Sequence, residues 1–346
     1  MMAQGVKRSG GMLLRAFLSI LLVPMGVLPA ATPARAEVKE IRIGIQPGLP
    51  SLPVIVAEQR GFFTAEARKA GLSDQRFTLH RLNGAAAVND ALLSESVDAS
   101  VLGATALLSA WDKTRDRGDL RALAPLAVLD VALYTNRPEI KSFVDFGEQD
   151  RIAVPASASP QAMIVRMAAE KFSGADKYAQ IERLLVLMPH PDATAALLAG
   201  KTITGYVASQ PFSLVLRKSD KVHLVMTSKD ILDGGEATGA VVAAAKKFVE
   251  ANPTVAKVII AALEDAIEFI ASDPNTSADI YLKSEASKIA KEDLREMLTD
   301  GSMVYSMAPT GFMKFARFMA KTGQLKNEPK SWEDLFFPFL HGRNGN

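Results

Sequence analysis

A short apolar strand, a turn of small residues and an amphipathic helix follow one another repeatedly along this chain. One copy is IRIGIQPGLPSLPVIVAEQRGFF at residues 41–63, and the pattern starts again with RIAVPASASPQAMIVRM at residues 151–167. Strands that alternate with helices build parallel sheets with helices on both faces, so the pattern predicts an α/β fold. The restart near residue 151 predicts two such sheets rather than one long sheet.

The length of the chain also favours two lobes. A single core stops growing at roughly 250–300 residues, and this chain has 346 residues, of which 48% are hydrophobic. From Gly239 onward helical runs dominate, and we expect this tail to pack on the first lobe. The prediction is two parallel-rich sheets flanked by helices and joined by two crossovers, near residues 127–134 and 234–243. Lobe 1 then comprises residues 37–134 and 234–346, and lobe 2 comprises residues 135–233.

The first 36 residues have the pattern of a secretory signal peptide. Lys7, Arg8 and Arg15 precede the apolar run AFLSILLVPMGVL, and the ARA at 34–36 matches a cleavage site. A membrane anchor is the alternative, but the run is interrupted by proline and is shorter than the roughly 20 residues that a span needs. We therefore expect cleavage after Ala36 and a soluble product in a Gram-negative periplasm.

Charge and cysteine content exclude several classes of protein. The signal contains four basic residues and no acidic one, so the net charge of +2 becomes −2 in the mature chain. A near-neutral chain does not indicate a nucleic-acid partner. The absence of cysteine excludes a lipoprotein anchor, thiol catalysis and cysteine-based zinc sites.

Signatures of common enzyme classes are missing. The chain contains no G-x-S-x-G and no G-x-G-x-x-G motif, and GKT at 200–202 lacks the upstream glycine of a P-loop. The four histidines have no partner at metal-ligand spacing, and His80 and His223 lie in strand-like runs. We expect no catalytic residue, no metal and no cofactor, although a pair of carboxylates that act as acid and base stays open.

Small-residue turns follow the predicted strands in both halves of the chain. Their sequences are QPGLPS (46–51), NGAA (83–86), GAT (103–105), ASASPQ (156–161), PHPD (189–192) and ASQP (208–211). The carboxyl ends of parallel strands meet at one edge of a sheet, where loops line a crevice and helices begin. Glycine and alanine allow a ligand to approach the backbone closely. Both lobes supply such turns, which predicts a ligand cleft between them.

The chain resembles the periplasmic substrate-binding proteins of ABC importers, of the nitrate/sulfonate/taurine type that is related to the thiamine-precursor-binding group. The resemblance rests on AEQRGFFTAE (57–66), NGAAAVNDALLSESVD (83–98), RIAVPASASPQ (151–161) and PDATAALLAG (191–200), with Ser96 where glycine is common. It implies the bilobal periplasmic-binding-protein (Venus-flytrap) fold, whose lobes close on a small molecule and present it to a membrane permease. It further implies an ABC permease with a cytoplasmic ATPase as partner, and we expect a monomer.

The resemblance also implies ligand contacts in the turns of both lobes. In lobe 1 they are Gln46, Ser51, Leu52, Gly84, Ala85, Gly103, Ala104 and Thr105; in lobe 2 they are Ser157, Ser159, Gln161, His190 and Ser209. These turns contain no arginine and offer small neutral polar groups. The order of expected ligands is an alkanesulfonate-like organic molecule, then a heteroaromatic precursor, then nitrate.

Two other functions stay open at this point. One is an enzyme of the same fold that acts on a pyrimidine-type precursor, although the export signal and the lack of cysteine count against it. The other is a sensory binding protein that docks to a receptor instead of a permease.

Overall fold

The structure is a computed structural model that describes residues 37–174 and 178–346. The predicted signal peptide and its cleavage site at residue 36 lie outside the described residues. The strands of the described part are β1 (Glu40–Ile45), β2 (Arg76–Arg81), β3 (Ala99–Gly103), β4 (Leu120–Val128), β5 (Val131–Thr135), β6 (Ile152–Val154), β7 (Leu185–Leu187), β8 (Gly205–Ser209), β9 (His223–Thr227) and β10 (Thr238–Ala245).

Helices follow most of these strands. Those of the described part are α1 (Leu52–Gln59), α2 (Phe62–Lys69), α3 (Ala85–Leu93), α4 (Ala104–Thr114), α5 (Pro160–Ser173), α6 (Tyr178–Ile181), α7 (His190–Ala199), α8 (Phe212–Arg217), α9 (Ser228–Ile231), α10 (Lys246–Ala251), α11 (Pro253–Ser272), α12 (Pro274–Glu285), α13 (Lys291–Thr299) and α14 (Phe312–Lys321). Among the described residues, no helix has the length and apolar character that crossing a membrane would require.

The strands form two five-stranded sheets with the same topology. Their strand orders are β2-β1-β3-β10-β4 and β7-β6-β8-β5-β9. In each sheet the first three strands are parallel, and the fourth is antiparallel to both of its neighbours. A parallel pair needs a crossover of a dozen or more residues, whereas each fourth strand enters directly from the other sheet. The predicted α/β fold with two parallel-rich, helix-flanked sheets is confirmed, with this antiparallel fourth strand added.

Two short junctions connect the sheets. The first consists of Leu129 and Asp130, between the end of β4 and the start of β5. Because β5 pairs with β8 and β9, it belongs to the second sheet, so the passage between sheets lies before the boundary expected at residue 134. The return junction is residues 232–237, between α9 and β10. We call the part that contains the first sheet lobe 1 and the part that contains the second sheet lobe 2.

The core of lobe 1 forms where apolar residues recur on the sheet and on the helices that cover it. Ile41, Ile43 and Ile45 of β1 are fully buried, as their alternation in the strand requires. Helix α1 is buried over most of its surface, because α11 and α12 of the C-terminal part pack against it. This arrangement fixes the first turn of α1, and with it the loop that follows β1.

Candidate functional site

A small cavity lies between the two lobes. Its volume is about 60 Å³, which is room for about four to six water-sized groups at about 10–15 Å³ each. Its walls come from the segments that follow β1, β2, β3, β6, β7 and β8, together with the Leu129–Asp130 junction, part of β10 and Met303. These are carboxyl ends of parallel strands in both sheets, where the topology collects loops.

Direct contacts between the lobes surround the cavity. The Thr105 hydroxyl in lobe 1 donates to the carbonyl of Ala158 in lobe 2 at 2.7 Å. The Leu49 amide donates to the carbonyl of Gln210 at 3.3 Å. Gly103 lies so close to Pro160 that a Cβ atom at Gly103 would be 2.4 Å from the proline Cδ. The lobes are therefore closed on each other in this structure.

His190 forms one wall of the cavity, at the first position of α7. Its ring stacks on Phe212 with centroids 5.3 Å apart, and its Nδ1 shares a hydrogen bond with the hydroxyl of Tyr206. The other nitrogen, Nε2, lies 3.4 Å from both the Gln161 amide nitrogen and the Ser209 hydroxyl. Complete burial lowers the pKa of His190 to about 4, because removal from water disfavours the charged ring. The histidine is neutral at pH 7.

Asp130 brings a carboxylate to the cavity from the first junction. Burial raises the pKa of Asp130, and this effect is opposed by Lys229, by a hydrogen bond from the Gln210 side chain and by Arg217. Lys229 and Arg217 act at a distance, because no lysine or arginine of the described residues reaches within 4 Å of this carboxylate.

Two amide oxygens beside the cavity have no partner. Gln210 is 4% exposed, and its Oε1 accepts no hydrogen bond from any described residue. Gln46 Oε1 is likewise buried without a partner. Buried polar atoms are nearly always satisfied, so these two acceptors are unusual features of the cavity's surroundings.

Most of the predicted site residues lie together at this cavity. Those that line it are Gln46, Ser51, Ala85, Gly103, Ser159, Gln161, His190 and Ser209. Two of these serines use their hydroxyls to hold the walls. Ser51 stands at the N-cap position of α1 without a side-chain capping bond, and its hydroxyl donates to the Gln46 carbonyl at 2.9 Å. Ser159 caps α5 by accepting from the amide of Ala162.

The other predicted residues lie outside the cavity wall. Leu52 and Ala104 are fully buried in the core, because their positions in the first helical turn direct the side chains toward the sheet. Thr105 and Gly84 contact lobe 2 instead, Gly84 against Pro189. Ser157 is exposed on an outer groove that adjoins the cavity.

Sequence reasoning missed Asp130 and Gln210. Asp130 interrupts the apolar run LAVLDVALY at residues 126–134, and a lone acid between two buried strands is a signal that could have marked it. Gln210 stands next to Ser209 in ASQP (208–211), one of the turns that were predicted to line the cleft. No group of three histidine, cysteine or acidic residues suited to a metal occurs in residues 37–174 and 178–346.

Two sheets of equal topology that close on a cavity at the ends of their parallel strands define the periplasmic-binding-protein fold. The profile of the NMT1-like family matches residues 34–282, and the chain belongs to this family. No curated protein sequence matches the chain.

Solved structures of the same fold cover most of the chain. The alkanesulfonate-binding protein SsuA of Xanthomonas axonopodis pv. citri, bound to MOPS, has a TM-score of 0.67 at 14% identity, over 85% of this chain and 96% of that chain. A zinc-bound ligand-binding component of an ABC-type import system from Staphylococcus aureus has a TM-score of 0.67 at 16% identity, over 88% and 98%. The periplasmic nitrate-binding protein NrtA of Synechocystis PCC 6803 has a TM-score of 0.62 at 15% identity, over 89% and 86%. The resemblance deduced from the sequence is confirmed. At identities this low, the likeness to the solved structures establishes the fold alone.

Proposed function

We propose that this chain is the ligand-binding component of an ABC import system. It captures a small organic molecule between its two lobes and delivers it to a membrane permease, without making or breaking a bond. The observation that carries the proposal is the cavity whose walls come from both lobes and whose rim is closed by direct contacts between them. A ligand that touches both lobes favours the closed state over the open one, which is the state a permease can recognise.

The setting of the protein belongs to the same proposal. The chain is exported with cleavage after Ala36, and it works in the periplasm as a monomer. The structural neighbours include a component of an ABC-type import system. Others are named as binding proteins for alkanesulfonate or nitrate. The permease subunits and their ATPase are the partners that this role requires.

The experiment is a ligand screen by thermal stabilisation on residues 37–346. A bound ligand raises stability by RT ln(1 + [L]/Kd), so micromolar binders are detected at millimolar concentration. We expect one-to-one binding, a smaller radius of gyration with ligand by small-angle X-ray scattering, and no turnover. Chemical conversion of the bound ligand would instead support an enzyme of this fold.

Two adjacent alanines provide a matched pair for this screen. Ala85 lines the cavity, whereas Ala86 is exposed on an outer groove that adjoins it. Ala85→Leu fills part of a cavity of about 60 Å³ and is expected to remove ligand stabilisation. Ala86→Leu is expected to keep it. Equal stabilisation of both variants would place the ligand elsewhere.

A further inference from the structure

The charges and hydrogen-bonding groups of the cavity select a class of ligand, given that the cavity is the binding site proposed above. We propose that it takes a small cation rich in N–H donors, an amine, amidine or guanidine, which donates to the Asp130 carboxylate. This differs from the alkanesulfonate that the sequence placed first.

The wall of the cavity has one sign of charge. Asp130 is the charged residue among the described residues that line it, and neither lysine nor arginine contributes. The buried guanidinium of Arg166 is occupied elsewhere, because it pairs with Glu182 and donates to the Ser157 carbonyl at 2.6 Å. His190 is neutral and adds no positive charge. An anion placed here would face a carboxylate with no cation in contact.

Two glutamine oxygens beside the cavity lack a hydrogen-bond partner. Gln210 is almost completely buried, and neither its Oε1 nor the buried Oε1 of Gln46 accepts a hydrogen bond from a described residue. The protein itself covers both oxygens in this structure. The preference for a cation therefore comes from the Asp130 carboxylate in the wall.

The starts of α4, α5 and α7 do not reverse this preference. Free N–H groups at a helix start can hold an anion, but Pro160 is the first residue of α5 and Pro191 the second of α7, and proline has no N–H. At α5 the Ser159 hydroxyl already accepts from Ala162. At α4 the ring of Pro160 packs directly on Gly103, which restricts the approach of an anion there.

The test uses small probes that match in shape and differ in charge. Guanidinium and nitrate are both planar with three equal substituents, and acetamidinium, acetamide and acetate share one heavy-atom skeleton. Affinities of the purified chain for these probes and for methanesulfonate are measured by calorimetry. We expect guanidinium or acetamidinium to bind and acetamide to bind more weakly, while acetate, nitrate and methanesulfonate do not bind.

Two variants locate the effect. Asp130→Asn keeps the shape of the side chain and removes its charge, and it is expected to weaken the cation by about tenfold or more, because hydrogen bonds to charged groups are the stronger ones. Asp220→Asn removes one charge at an exposed position and is expected to change nothing. If Asp130→Asn does not fold, the comparison of cation and anion affinities of the unmodified chain still tests the proposal.

The outcomes separate this inference from the proposed function. Preference for nitrate, acetate or methanesulfonate, or equal cation binding by Asp130→Asn, overturns the cation inference and leaves a binding protein in place. Binding of none of these probes also overturns the inference, and the wider ligand screen then judges the proposed function alone.

Discussion

Closure of the two lobes can be tested at Gly103, the last residue of β3. Its backbone has φ −68° and ψ 147°, which any residue can adopt. Gly103→Ala therefore introduces no backbone strain, and its consequences depend on what the added methyl group meets. In the closed structure the methyl carbon would lie 2.4 Å from Cδ and 2.9 Å from Cγ of Pro160, in the opposite lobe.

The size of the effect follows from these distances. Two carbon atoms are in favourable contact at about 3.5–4.0 Å, so the methyl group overlaps the proline ring by about 1 Å or more. Overpacking of this kind costs about 1–3 kcal/mol. Because the overlap exists only when the lobes are closed, it lowers the population of the competent state. The apparent Kd should rise by about 5- to 150-fold.

The assay compares three proteins. Ligand affinity by calorimetry and ligand-induced compaction by X-ray scattering are measured for the unmodified chain, for Gly103→Ala and for Gly118→Ala. Gly118 is the matched control, since its nearest atom to an added Cβ is 4.0 Å away. We expect weaker binding in Gly103→Ala alone, with the thermal midpoint of the ligand-free protein unchanged.

Two results would refute this reasoning. An unchanged Kd in Gly103→Ala would show that the contact with Pro160 is not needed when ligand binds. A lower thermal midpoint without ligand would show that the contact is permanent, and that the lobes do not separate.

Other predictions concern the lobe contact, the buried histidine and the buried guanidinium. Thr105→Val removes the hydrogen bond to Ala158 and should weaken ligand binding by about 1 kcal/mol in calorimetry, with little change in unfolding. The pKa of His190 falls from 6.5 to about 4 on folding, so its stabilisation is complete above pH 6.5 and is lost between pH 6.5 and 4; urea unfolding should show about 1–2 kcal/mol less stability at pH 5 than at pH 7, and a smaller loss in His190→Gln. Arg166→Met removes the guanidinium that pairs with Glu182, a side chain that is already half exposed, and should lower the free energy of unfolding in urea by about 1–3 kcal/mol. An unchanged free energy of unfolding would mean that water replaces the guanidinium.

Much of the fold could be predicted from the sequence because its signals are local. The alternation of buried residues in β1 and the glycine or proline at most helix starts depend on neighbours in the chain. The antiparallel fourth strand of each sheet could not be predicted in this way. Its direction depends on which sheet the chain enters after a junction, and β5 and β10 look like any other apolar strand.

The site was predicted to the level of its loops, and the individual atoms required the structure. Gln46 directly follows β1 and Ser209 ends β8, and both reach the cavity because these strands end at its edge of the sheet. Thr105 belongs to one of the predicted turns as well, but its hydroxyl meets the other lobe, and this pairing depends on how two distant segments approach. Asp130 was not predicted, because ligand contacts were expected in the turns after the strands and not in the crossover near residues 127–134.

The order of strands in the first sheet has a consequence for synthesis. β10 lies between β3 and β4 in that sheet, yet the whole second sheet, from Val131 to Thr227, comes between β4 and β10 in the chain. The second sheet is built from one continuous segment and can form as soon as that segment is available. The first sheet cannot close until Ala245 has been made, so its N-terminal strands wait for a partner that is translated more than a hundred residues after them.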